Sequence, residues 1–212
     1  MLTNVEREIA TAMVEGLIEY GMLENMRNLF DFFTSPEVEE LGFWERSGMT
    51  KICIGHDDLD GWVIKTSFRC DYSNDYTKRE YENYCAAKEN GLGYYFPETV
   101  FLGEYNGWSF YVQELADCSD EAITSDWYDR LRDRYDEDGE EYEEEDLWYA
   151  VENLDDKERV NLFFCDEDLI CFLRERHIND LHEGNFGYIG GRAVIVDFSG
   201  FGRWEWNNEA VD

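Results

Sequence analysis

A chain of 212 residues suits one domain or two small lobes, and its 43% hydrophobic content, 17% aromatic, can fill a core. That content excludes global disorder, although 50 acidic against 18 basic residues leave a formal charge of −32. Such a surface repels nucleic-acid phosphates and anionic membranes, which argues against direct nucleic-acid binding and for a basic protein partner.

No apolar run is long enough to span a bilayer and no basic start marks a signal peptide, so a cytoplasmic location is the expectation. The six cysteines include no C-x-x-C pair. Most sit in apolar runs, where Cys acts as a small hydrophobe rather than a zinc ligand or a disulfide half.

The chain opens on a capping box, Thr3-x-x-Glu6, followed by Val5, Ile9, Met13, Leu17 and Tyr20 at helical spacing. Gly21 interrupts, and Met22, Met26, Leu29, Phe30 and Phe33 carry a second apolar stripe. Ser35-Pro36 signals a further helix start. Residues 1–40 thus read as an N-terminal helical extension.

From about Leu41 the pattern becomes that of strands. Thr50-Lys51-Ile52-Cys53-Ile54-Gly55 alternates, Asp57 to Gly61 is a turn, and Trp62-Val63-Ile64-Lys65-Thr66-Ser67-Phe68 returns. A helix is predicted from about Asp75 to Asn90 with Gly91 as its stop, and Tyr81, Tyr84 and Cys85 as its buried stripe. Glu80, four before Tyr84 and seven before Ala87, shares the inward edge, whereas Glu82 is turned away by about 200°. Thr99–Tyr105 and Trp108–Leu115 form the next hairpin around Asn106-Gly107.

The segment from 117 to 159 reads as an acidic insertion. Its run from Asp136 to Asp146 places like charges three and four apart, which opposes a helix and predicts a mobile loop or a frayed helix. Neutralised by a basic partner, a helix there would carry one carboxylate per ~1.5–2 Å of axis, close to the ~1.7 Å per phosphate of duplex DNA. Asp166 then caps a buried helix running through Leu169, Ile170 and Leu173.

The last informative stretch runs from Ile178 to Gly200. Gly190-Gly191 between apolar runs predicts a tight hairpin, because both glycines accept positive φ. The hairpin carries Asn185 at its entrance and Asp197 at its exit, with Asp180 nearby. Hard oxygens of this kind suit a Mg²⁺-phosphate site.

Asp180-x-His182-x-x-Asn185 followed by Asp197-Phe198-Ser199-Gly200 resembles the catalytic loop and metal-binding motif of the protein kinase-like superfamily, nearest its bacterial and small-molecule phosphotransferase branches. The resemblance implies an α+β fold of two lobes: an antiparallel-sheet N-lobe over residues 41–115 and a reduced helical C-lobe over 116–212. It implies ATP and Mg²⁺, with Asp180 as catalytic base and Asn185 and Asp197 as metal ligands. Lys65 takes the place of the lysine that grips the α/β-phosphates, and Glu80 that of its helix partner. Ser47 and Gly48 stand where a glycine-rich loop would cover the nucleotide, one glycine instead of three. Gln113, Glu114 and Leu115 stand where the hinge backbone would take the adenine edge. His182 is expected to brace the loop.

Two functions follow. One is a small ATP/Mg²⁺-dependent phosphotransferase acting on a hydroxyl of a protein or small molecule. The other is a non-catalytic acidic inhibitor or nucleic-acid mimic that occupies a basic, nucleic-acid-binding protein; in composition it is similar to phage-encoded host-defence antagonists.

Overall fold

The computed structural model describes residues 1–19, 21, 31–32, 35, 37–47, 50–67, 75–105, 107–136, 149–150 and 153–200. The chain divides into two compact units, one of Met1–Lys88 with Pro97–Leu115 and the other of Glu89–Phe96 with Ala116–Asp212. Among the described residues no helix is long and apolar enough to cross a membrane.

The first unit is built on a five-stranded antiparallel sheet of β1 (Phe43–Ser47), β2 (Lys51–His56), β3 (Trp62–Ser67), β4 (Thr99–Tyr105) and β5 (Trp108–Glu114), ordered β1-β2-β3-β5-β4. Strand alternation sorts the side chains onto two faces. One face is apolar: Ile52, Ile54, Ile64, Trp108, Phe110 and Val112 form a single buried cluster with Ala10, Val14 and Leu17 of helix α1 (Asn4–Glu19). The Thr3–Glu6 box starts α1, with the Thr3 amide donating to Glu6 Oε2 at 2.6 Å and the Glu6 amide to Thr3 Oγ1 at 3.3 Å.

The first helix of the N-terminal region is therefore part of the sheet's core. Its apolar face can be buried only against the sheet, and that burial dominates the stability of a short amphipathic helix. The second stripe expected at residues 22–33 lies outside the described residues apart from Asp31 and Phe32. A single turn, Glu37–Glu40, precedes β1.

Helix α2 (Tyr76–Glu89) joins β3 to β4. Its start is stitched to the end of β3. The Ser67 hydroxyl donates to Asp75 Oδ1 at 3.0 Å, the Thr77 amide to Ser67 Oγ at 2.8 Å, and the Lys78 amide to Asp75 Oδ1 at 3.0 Å. The buried residues of α2 are Thr77, Glu80, Asn83, Tyr84 and Ala87, while Tyr81 and Cys85 are half-buried. Of the expected stripe Tyr84 is buried, and the inward edge expected for Glu80, Tyr84 and Ala87 is the buried one, with Thr77 and Asn83 added to it.

In the second unit, α3 (Asp120–Asp136) buries Ile123, Trp127 and Leu131 at one-turn spacing. Helix α4 (Asp156–Phe163) starts at a capping box between Asp155 and Glu158 and buries Val160, Leu162 and Phe163. Helix α5 (Glu167–Glu175) starts at Asp166, whose side chain accepts from the Asp168 and Leu169 amides. The flanks of the stretch 117–159 carry core side chains, and the acidic run beyond Asp136 lies outside the described residues. Trp127, Phe163 and Phe186 meet at ring-centroid distances of 4.8–6.1 Å around the hairpin β6 (Phe186–Ile189) and β7 (Arg192–Ile195).

Candidate functional site

Register places the first group of side chains. Cys53 faces Lys65 across β2–β3, and Lys65 faces Tyr111 across β3–β5. Lys51, Cys53, Lys65, Tyr111 and Gln113 therefore alternate onto one side of the sheet, opposite to the side that covers α1. Glu80 lies just beyond the first turn of α2, which the Ser67–Asp75–Thr77 stitch anchors at the end of β3.

These residues form a closed hydrogen-bonded cluster. Lys65 Nζ donates to Glu80 Oε1 at 2.7 Å and to Gln113 Oε1 at 2.9 Å. Lys51 Nζ donates to Glu80 Oε2 at 2.8 Å. Gln113 Nε2 donates to Glu80 Oε1 at 2.9 Å and to Thr99 Oγ1 at 3.0 Å, and the Thr99 hydroxyl donates in turn to the Pro97 carbonyl at 3.1 Å. Glu80 is 1% exposed, Lys51 4% and Lys65 6%. Both oxygens of the carboxylate are engaged by cations, and such charge-assisted bonds are about twice as strong as neutral ones. The structure thus brings Lys65 and Glu80 together and adds two partners that the sequence did not reveal, Lys51 and Gln113. Lys51 was legible only as a strand lysine; the β2–β3 register that sets it diagonal to Lys65 comes from the fold.

Gln113 enters this cluster through its side chain. Alternation along β5 turns it under α2, while its backbone pairs with Val63 and Thr99. The two residues after it are also constrained, since the Glu114 amide donates to the Glu98 carbonyl and the Leu115 amide to the Gly61 carbonyl, both at 2.9 Å. Those two N–H groups are committed to the fold. Ser47 ends β1, and its side chain and Gly48 lie outside the described residues.

The second group belongs to the other unit. Helix α5 closes with the His177 amide bonded to the Arg174 carbonyl and the Ile178 amide to the Leu173 carbonyl. Ile178 and Leu181 are buried and anchor the loop between them, leaving Asp180 half-exposed. His182 accepts the Gly184 amide at Nδ1, 3.1 Å, and its Nε2 stands 3.8 Å from Asp180 Oδ1. The first contact shapes the loop, and the second is too long for a hydrogen bond.

Asn185 is 7% exposed, and its Nδ2 donates to the Asp180 carbonyl at 2.8 Å. With the amide nitrogen so used, its Oδ1 has no donor among the described residues. The Val196 amide bonds the Asn185 carbonyl at 2.9 Å, which extends the β6–β7 ladder one step and sets Asn185 and Asp197 at the same end of the ribbon. Gly190 and Gly191 turn the other end with φ of 56° and 79°, the conformation that a two-residue hairpin of this type needs. Ser199 donates its hydroxyl to Asp197 Oδ1 at 3.2 Å, and Phe198 is buried with its ring 4.8 Å from that of Phe96. Nearby, burial pushes the Asp156 carboxyl above its usual value, opposed by Arg159 and reinforced by Asp155 and Asp180.

Among the described residues no cluster of three or more His, Cys, Asp or Glu gathers into a metal site. Mg²⁺, however, is ordinarily held by one or two protein oxygens together with water and substrate phosphates. An amide oxygen and a carboxylate at one end of a ribbon have the right chemistry for that partial set.

Fold and site define an α+β protein with a buried lysine–glutamate–lysine cluster in its sheet unit and an acidic loop-and-hairpin in its helical unit. No protein-family model matches the sequence, and no curated protein matches it.

Proposed function

We propose that this chain is a small Mg²⁺- and ATP-dependent phosphotransferase of the protein kinase-like type, acting on a hydroxyl group. The observation that carries this reading is the Lys65–Glu80 contact of 2.7 Å inside the sheet unit. A lysine on a central strand, oriented by a glutamate from the helix that follows, is the arrangement by which such enzymes hold the α/β-phosphates. Burial costs both charges several kcal/mol by general estimate, so the contact is a poor stability device and suggests a role in binding.

In this reading Lys65 holds the nucleotide's phosphates and Glu80 holds Lys65. Asn185 through Oδ1 and Asp197 through its carboxylate would hold Mg²⁺, which would supply positive charge against the nucleotide's phosphates. Asp180 accepts the proton of the attacking hydroxyl as its oxygen bonds to the γ-phosphorus and the bond to the ADP oxygen breaks. Catalysis of this kind is mostly positioning and charge neutralisation, which a short chain can supply.

A second reading rests on the charge of −32: a non-catalytic acidic inhibitor of a basic, nucleic-acid-binding protein. Thermal-shift titration with Mg-ATP separates the two. The phosphotransferase reading expects saturable stabilisation by the wild type, about 2.7 kcal/mol at a hundredfold excess over Kd, and its loss in both Lys65→Met and Asp197→Ala. Radiolabel transfer from γ-labelled ATP should be lost in Asp180→Asn. A wild type that responds to no nucleotide, yet binds polylysine in a salt-sensitive way, overturns it for the second reading.

A further inference from the structure

We propose that Lys51 is a second phosphate-binding lysine, acting with Lys65 on the polyphosphate of a nucleoside triphosphate. This rests on the phosphotransferase reading and assigns to that site a residue the resemblance does not supply.

Geometry carries the proposal. Lys51 is the first residue of β2, directly after the β1–β2 turn, and Cys53 two residues on faces Lys65. Lys51 and Lys65 are therefore diagonal neighbours on one face of adjacent strands, a spacing that long side chains bridge. Each donates to its own oxygen of the same carboxylate, Lys51 to Oε2 at 2.8 Å and Lys65 to Oε1 at 2.7 Å. One glutamate thus fixes two ammonium groups beside each other.

A single lysine would satisfy the ordinary pairing with Glu80. A chain with only 18 basic residues against 50 acidic ones nonetheless places a second one in its interior, 4% exposed, where desolvation is costly. A surface lysine for solubility has no need of that position. The sequence just before Lys51 holds one glycine, Gly48, where a glycine-rich phosphate loop has several, so a cation beside it supplies charge that such a loop would not need. Two ammonium groups held side by side match successive phosphates of a chain and exceed what a monophosphate requires.

Nucleotide binding by calorimetry tests this with Mg-ATP and AMP on the wild type, Lys51→Met, Lys51→Arg and Lys65→Met, with the melting temperature of each unliganded protein recorded alongside. Lys51→Met should weaken Mg-ATP about tenfold or more and AMP less than about threefold, the size expected for losing one charge-assisted contact. Lys51→Arg retains the charge for Glu80 but displaces it, and should also weaken Mg-ATP more than AMP. It serves as the test if the methionine variant does not fold. A wild type and Lys65→Met that behave as the phosphotransferase reading expects, with Lys51 variants that lower the unliganded melting temperature but leave the ATP-to-AMP affinity ratio unchanged, overturn the role of Lys51 alone. A wild type that binds no nucleotide overturns both.

Discussion

Replacing Glu80 by alanine should be among the most damaging single changes in the sheet unit. The carboxylate accepts from Lys65, Lys51 and the Gln113 amide, at 2.7, 2.8 and 2.9 Å, and is 1% exposed. Its removal withdraws the carboxylate from two buried ammonium groups at once, and water cannot take its place without opening the packing between α2 and the sheet. Breaking one buried pair costs about 3–5 kcal/mol, with the upper end expected here because two cations share the anion. For a chain of this size each kcal/mol shifts the melting temperature by about 2–4 °C, so a loss of about 10–20 °C is expected in a calorimetric scan. Glu80→Gln, which retains the shape and one acceptor oxygen, should lose less. Converting Lys51, Lys65 and Glu80 together to methionine should recover most of the loss, since apolar replacement of a whole buried ion cluster is often neutral. A Glu80→Ala variant destabilised by less than about 1 kcal/mol would show that the cluster is not a buried, mutually dependent unit, and would sink the reasoning.

Two further outcomes test the other unit. Gly200 has a φ of +67°, and a Cβ added there would sit 2.1 Å from the His177 carbonyl oxygen, so Gly200→Ala forces backbone movement as well as a strained conformation. A loss of about 2–4 kcal/mol is expected in urea unfolding, and a loss below about 0.5 would mean that this close approach is absent in solution. Tyr95 donates its hydroxyl to Asp166, the cap of α5, and this bond first, then the Leu169 and Asp168 amides, holds the Asp166 carboxyl below its ordinary 3.8. The same bond pushes the Tyr95 hydroxyl up to about 12, so it stays a donor through the usual pH range. A depressed carboxyl contributes stability above its unfolded value and loses it as pH falls through the folded one. Tyr95→Phe should therefore be less stable than the wild type at pH 6, with the gap closing below pH 3.8; a gap independent of pH would remove Asp166 from the account.

Much of the local structure was readable because its causes are local. The Thr3–Glu6 and Asp166 caps use side chains within three residues of the amides they bind, and Gly190-Gly191 needs only its own two φ angles. The strands of the sheet followed from alternation, and the division between Leu115 and Ala116 falls just past the end of β5. Within 117–159, Ile123, Trp127 and Leu131 at one-turn spacing mark the buried face of α3, a signal that the acidic composition of the stretch obscures.

The candidate site divides in the same way. Lys65, Glu80, Asn185 and Asp197 stand out in the sequence through the resemblance, and strand alternation, helical phase and a hairpin turn, all of short period, place them on their elements. The membership of Lys51 and Gln113 in the Glu80 cluster could not be read there. Their contacts with Glu80 span 29 and 33 positions along the chain, and only sheet register together with the docking of α2 brings such distant groups within hydrogen-bond range. Sequence by itself determined which side chains could carry charge to one face of the sheet. Tertiary structure decided how many share one carboxylate, because a buried ion must collect whichever partners the surrounding strands deliver.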